Sequence, residues 1–268
     1  MGSKRISLIM VFALFLVLVL VSSCMGPDFN IGKLQASTQK LQQQTQDKLN
    51  SLDSDLAAAA AKLGRAGLST SDARQILNEV YSKYPFLNDC VAADASGKVF
   101  AAAPDAFLKY EGADIKTGDV KKATLTKVIP TIEGIQAVSL MQPILSEKGE
   151  YAGVISALFQ PKLFFAAIAE PVLKGTGIEL NVLQTDGLNI YDLSGTDTGN
   201  NILTDAKFRD YKELVALGKR FTAEESGTGT YTYPNHSTGA SALKMAVWYS
   251  VTLHGTSWRL INVQEASK

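Results

Sequence analysis

The chain has 268 residues, 46% of them hydrophobic, and its 26 lysines and arginines balance 26 aspartates and glutamates. That balance excludes the basic footprint of a nucleic-acid binder and a polybasic patch for an anionic membrane, leaving a small molecule or a protein as the expected partner. Cys24 and Cys90 are the two cysteines, at most one disulfide, and the length and hydrophobic content allow one large domain or two small ones.

Lys4 and Arg5 precede an almost wholly apolar run, Ile6 to Val21, which ends in LVSSC at residues 20 to 24. Basic residues, an apolar stretch, small residues and a cysteine in that order resemble the lipobox of bacterial and archaeal lipoprotein signals. The resemblance implies that residues 1–23 are a signal peptide, that Cys24 carries lipid, and that the chain is anchored outside the cytoplasm on the cell membrane or outer membrane. An uncleaved transmembrane anchor is the alternative, although the run is shorter than the roughly 20 residues that span comfortably. If Cys24 is lipidated, Cys90 has no intramolecular disulfide partner and reads as a buried, inert thiol.

Residues 24–85 read as a lipidated linker and a long helix. From 32 to 64 the leucines 34, 41, 49, 52, 56 and 63 recur at helical spacing, which suits either a dimer seam or a helix lying on its own domain's sheet. Ser69 and Asp72 form a capping box for a second helix, which Pro85 ends. Strands follow at 87–94, 98–103, 135–145 and 151–160, with 105–133 mostly loop and short helix. Pro161 opens a helix that runs to Gly175. The plan then repeats, with strands near 178–184 and 188–192, a polar loop at 194–201, a helix near 204–218, and strands near 228–233, 242–252 and 257–264. VAADASGKVFAAAP (91–104) and NVLQTDGLNIYD (181–192) open the two halves in the same way, each an apolar strand, an Asp/Gly turn and a second strand. Two α/β modules are expected in series, at 86–174 and 175–268.

The order of a long helix, DASGKVFAAAP, YEGADI, IEGIQAVSLMQPILSEKGEYAGVISALFQPKLF, GIELNVLQTDGLNIYD and VWYSVTLHGTSWRLINVQ resembles the double Cache sensor domain over about 32–264. The resemblance implies an α+β fold with a long N-terminal helix followed by two PAS-like modules, each an antiparallel sheet flanked by helices. It further implies a position outside the membrane, as in chemoreceptors and histidine kinases, and a small ligand held in the membrane-distal module, 86–174. The amino-acid-binding branch uses an Arg and aromatic residues before the third strand and an Asp on the last strand. Aligning KTGDVKKA (116–123) on that motif puts Thr117, Asp119 and Val120 at the clamp, and counting from Gly153 puts Leu158 at the acidic position. A charged clamp for a zwitterion is therefore missing. The expected ligand is uncharged or singly charged with an apolar body, and not an α-amino acid by preference.

If Leu158 faces the pocket, alternation turns Val154, Ser156 and Gln160 the same way and sends Ile155 and Phe159 toward the long helix. Tyr110 is a candidate wall, and Lys109 and Lys127 flank the loop within reach of a carboxylate. The competing reading makes Ser156 and Tyr110 core hydrogen-bonding groups and the lysines solvated. The candidate ligand-binding set is Tyr110, Val154, Ser156, Leu158 and Gln160, with Cys24 for lipidation.

Enzyme motifs are absent: no G-x-S-x-G, H-E-x-x-H, phosphate loop or C-x-x-C occurs. No catalytic residue, cofactor or metal is expected. DLSGTDTGNN (192–201) lacks EF-hand spacing and reads as a solvated loop, and His236 and His254 read as surface histidines. Trp248, Tyr249 and Trp258 read as core. The expected function is an extracytoplasmic, lipid-anchored sensory or solute-binding protein that passes occupancy to a transmembrane receptor or transporter, with the long helix as a candidate homodimer contact. The alternative is a structural or interaction lipoprotein without a small-molecule ligand.

Overall fold

The computed structural model describes residues 29–66, 70–115 and 120–266; Cys24, the apolar N-terminal run, Ser69 of the expected capping box, Thr117 and Asp119 lie outside them. The long amphipathic segment forms α1, Ile31–Ala66, with Asn30 Oδ1 accepting the Lys33 backbone N–H at 3.0 Å at its start. At 1.5 Å per residue, its 36 residues extend about 54 Å, enough to pass under two sheets. All six leucines of the stripe are buried, because α1 packs against both modules of its own chain. The stripe is thus a sheet contact rather than a free dimer seam. Thr38 and Thr45 are buried on the same helix, their hydroxyls donating to the carbonyls of Leu34 and Leu41 at 2.6 and 2.7 Å. A second helix, α2 (Thr70–Lys83), buries Ala73, Leu77 and Val80.

The first sheet comprises β1 (Leu87–Asp94), β2 (Val99–Ala103), β3 (Thr124–Leu125), β4 (Ile129–Pro130), β5 (Gln136–Leu145) and β6 (Tyr151–Phe159), in the order β2-β1-β6-β5-β3 with β4 also on β5. Helix α3 (Pro161–Leu173) leads to β7 (Ile178–Gln184), β8 (Asn189–Asp192), α4 (Lys212–Ala223), β9 (Ser226–Pro234), β10 (Ser241–Leu253) and β11 (Thr256–Glu265). The second sheet runs β8-β7-β11-β10-β9. Every pairing is antiparallel, and both sheets place the second strand at one edge, then the first, then the last. The duplicated hairpins therefore open two copies of one α+β plan.

Two elements differ from expectation. The helix expected at 204–218 begins only at Lys212, after a 3₁₀ turn at Ala206–Phe208. Asn201 Oδ1 accepts the Leu203 N–H, and Asp205 Oδ2 accepts the Asn201 N–H, so local side-chain bonds hold this stretch in turns. Within 105–133, β3 and β4 are two-residue strands, too short to carry a readable period.

One apolar core runs beneath both sheets. Phe164 and Phe165 of α3 bridge them, Phe164 meeting Phe86 at 4.9 Å and both meeting Trp258, at 6.3 and 5.5 Å between ring centroids. Cys90 is buried on this side, and burial pushes its thiol up. Trp248 is buried on the opposite face of the second sheet, against Phe221 at 4.9 Å, and Tyr249 is half-buried.

The modules also meet through polar contacts. Lys127 Nζ lies 2.7 Å from Asp186 Oδ2, and the Val128 N–H donates to Gln184 Oε1 at 2.7 Å. The Thr256 hydroxyl donates to the Leu125 carbonyl. On α1, Asp53 Oδ1 contacts both Gln142 Nε2 of the first sheet, at 2.6 Å, and His254 Nε2 of the second, at 2.7 Å. His254 is therefore an exposed histidine that is also tied to the helix.

Gly64 marks the closest approach of α1 to the first sheet: a Cβ there would lie 2.0 Å from the Leu145 carbonyl oxygen. Inside a helix, Gly→Ala ordinarily stabilises by about 1 kcal/mol. Gly64→Ala should instead lower the urea midpoint, because helix and strand must separate to admit the methyl group. An unchanged or raised midpoint would contradict this packing.

Candidate functional site

Strand alternation divides the first sheet into an inner face on α1 and an outer face. Cys90, Ala157 and Leu140 form one inner rung, and Ala92, Ile155 and Gln142 the next. Ile155, Ala157 and Phe159 belong to the core around α1. The outer face carries three rungs across β1, β6 and β5: Asp89–Leu158–Ser139, Val91–Ser156–Met141 and Ala93–Val154–Pro143. Val154, Ser156 and Leu158 thus share the outer face. Val120 joins Ala93, Val99, Met141 and Val154 in a separate apolar cluster there.

Gln160 is set apart from these rungs. It lies past the end of β6, where Pro161 opens α3, and its carbonyl accepts the N–H groups of Leu163 and Phe164 while its side chain reaches Asn88. Tyr110 ends a 3₁₀ turn, and the contacts described for its ring are with Phe107 at 5.8 Å and Lys109 Nζ at 5.1 Å. Lys127 is engaged with Asp186. The partners described for the two flanking lysines are thus Tyr110 and Asp186.

The Ser156 and Ser139 hydroxyls hydrogen-bond to each other at 2.7 Å. Asp89 dominates the electrostatics of the face. It is 2% exposed, sits opposite Leu158 in the ladder, and its only described side-chain partner is Asn88 Nδ2 at 3.4 Å. Among the described residues no ion pair reaches it. Burial, reinforced by the nearby Glu133 carboxylate, pushes its carboxyl up to about 7. Glu133 Oε2 and Thr131 Oγ1 are also buried, without a hydrogen-bond partner among the described residues. The acid looked for at position 158 is absent there, yet one stands beside it on the neighbouring strand. The signal for Asp89 was an aspartate inside the apolar run FLNDCVAA, where charged residues are rarely buried unpaired.

The outer face of the second sheet is more open. A cavity of about 50 Å³ lies there, beneath α4 and the 3₁₀ turn, lined in part by Asn181, Tyr231, Tyr233, His236 and Lys244. Asp192, Asp197 and His236 converge beside it within 4.8 Å. Their groups are already engaged: Asp192 accepts the Ser194 hydroxyl and the Asp197 N–H, and Asp197 Oδ1 lies 2.6 Å from Lys207 Nζ.

Residues 47–161 match the family described as HK/GC/chemotaxis protein-like, sensor domain. No curated protein matches the chain. Among solved structures, an extracellular ligand binding receptor from Desulfohalobium retbaense is similar at 27% identity and TM-score 0.70 over 87% of this chain. This chain covers 39% of that one. The periplasmic sensory domain of the Campylobacter jejuni chemoreceptor Tlp1 is similar at 16% identity and TM-score 0.59, covering 86% of this chain and 93% of its own. The ligand-binding domain of the Pseudomonas fluorescens chemoreceptor CtaA, solved with L-alanine, is similar at 12% identity and TM-score 0.62, covering 87% and 96%. Residues 47–161 are therefore similar to the sensor domain of the HK/GC/chemotaxis protein-like family, and the chain has the fold of a double Cache sensor domain.

Proposed function

We propose that the chain is an extracytoplasmic, lipid-anchored sensory protein that binds a small ligand on the outer face of its first, membrane-distal module and hands occupancy to a transmembrane receptor or transporter. It acts by binding and not as an enzyme, a reading supported by its likeness to sensor domains. The ligand is a compact amine or quaternary ammonium with an apolar body. One observation carries this choice: Asp89 is buried beside Glu133 with no described cation, and an unpaired buried carboxylate is costly until a positive charge meets it. Val91, Val154, Leu158 and Met141 offer an apolar wall on the same face. Lys109 and Lys127 are engaged elsewhere, which favours an amine without an α-carboxylate. Contacts of residues 125–128 with Thr256, Asp186 and Gln184 give the first module a direct grip on the second.

Titration calorimetry with quaternary ammonium compounds, primary monoamines, amino acids, small carboxylic acids and neutral metabolites tests the ligand class. A quaternary ammonium keeps its charge at every pH, so its affinity should rise roughly thirtyfold from pH 5.5 to pH 8 as Asp89 ionises. Asp89→Asn should abolish both binding and its pH dependence. Binding confined to carboxylic acids or neutral compounds would refute the amine reading, and no binding by any class would favour a purely structural lipoprotein.

Asp89 also sets a stability trend. The folded chain keeps its proton up to about pH 7, whereas the unfolded chain loses it near 3.8. Stability therefore falls as pH rises between those values. Asp89→Asn removes the penalty and should be more stable than the native chain by about 2–4 kcal/mol at pH 8, with the two converging near pH 4. Urea unfolding at both pH values measures this.

For the anchor, Cys24→Ser should release the protein or leave an unprocessed precursor. Mass spectrometry detecting intact residues 1–23 on membrane-bound native protein would show a different attachment.

A further inference from the structure

The cavity of the second sheet contains a cation that the fold compensates poorly. Lys244 lies on β10 beside Tyr231 of β9 in the ladder and is 2% exposed. Its nearest carboxylate oxygen, Glu179 Oε2, is 3.5 Å away on a side chain that is itself 37% exposed. An ammonium has three donors, and among the described residues one partner stands at the limit of hydrogen-bond length. The acids on the other wall do not make up the difference, since Asp197 is paired with Lys207 and Asp192 is saturated by its own loop.

Two neutral donors line the same cavity. Burial and the carboxylates of Glu179, Asp197 and Asp192 hold the Tyr231 hydroxyl protonated. The Asn181 carbonyl oxygen accepts the Asn189 amide at 3.1 Å, which leaves the Asn181 NH₂ group as a donor. Leu183, Ile261 and Val263 supply an apolar floor. Because one water needs about 10–15 Å³, a space of about 50 Å³ takes roughly four. It suits a ligand of that size, with one anionic end.

We propose that this cavity is a second ligand site, for a small carboxylate of about three to five heavy atoms, with Lys244 as its charge partner and the Tyr231 hydroxyl and Asn181 amide as hydrogen-bond donors. The site is independent of the amine reading of the first module, since it shares no residue with it. Its occupant lies against β10, whose opposite face packs on α1 through Val247 and Val251, so both modules would report to one helix.

Acetate, with acetamide as the neutral isostere, is titrated at constant ionic strength into the detergent-solubilised full chain and followed by backbone amide shifts in NMR. Saturable shifts are expected with acetate and not acetamide, centred on residues 229–233 and 242–246. Lys244→Met should weaken acetate by roughly tenfold or more, and Tyr231→Phe by roughly threefold to tenfold. If Lys244→Met does not fold, Tyr231→Phe carries the test. Equal responses to acetate and acetamide, native affinity in both variants, or no saturable response to formate, acetate or propionate would each overturn the proposal.

Discussion

A β-sheet with one apolar face has to bury it, and neither sheet of this molecule does so alone. Both lay their inner faces on α1, whose leucine stripe, from Leu34 to Leu63, is buried along its length. Burying a leucine side chain contributes on the order of 2 kcal/mol, so the six together dominate the joining of the modules. The remainder of the architecture follows from this requirement. The helix must be long because the sheets lie side by side, and α3 must bridge them with phenylalanines because the core is continuous beneath both.

Committing the inner faces to α1 leaves the outer faces free for polar chemistry, and the two modules use that freedom with opposite signs. The first presents Asp89 and Glu133, the second Lys244. Asp89 and Lys244 each lie on a strand whose neighbours are mostly apolar; no ion pair reaches Asp89 among the described residues, and the carboxylate of Glu179 stands 3.5 Å from Lys244 on a partly exposed side chain. A fold selected for stability alone would replace such groups with hydrophobic ones, since a poorly compensated buried charge costs more than it returns.

Much of this was legible from the chain. The repeated hairpin, the leucine spacing and the even alternation of β6 were strong periodic signals. They led to the duplicated α+β plan and to the shared orientation of Val154, Ser156 and Leu158. What escaped had no period to announce it. Gln160 follows the alternation by count, but Pro161 starts a helix and removes it from the strand. The helix at Lys212 starts late because Asn201 and Asp205 bond to nearby backbone groups. Asp89 and Lys244 were visible as single charges within the apolar stretches FLNDCVAA and SALKMAVW, but only the sheet register shows which face each occupies. Leu158 drew attention because a resemblance pointed to that position, while the acid stood one strand away.

The shared oxygen of Asp53 has a mechanical consequence. Gln142 of one sheet and the His254 hairpin of the other grip the same atom of α1, and His254 holds a left-handed backbone, φ 49°, to reach it. About 33 Å of helix extends from that atom toward Ile31 and about 20 Å toward Ala66. Sliding one sheet along the helix independently of the other would break one of the two bonds, whereas rocking about Asp53 preserves both. The polar clamp thus leaves α1 the freedom of a lever on a fulcrum, with unequal arms, and its longer arm leads toward the N-terminus.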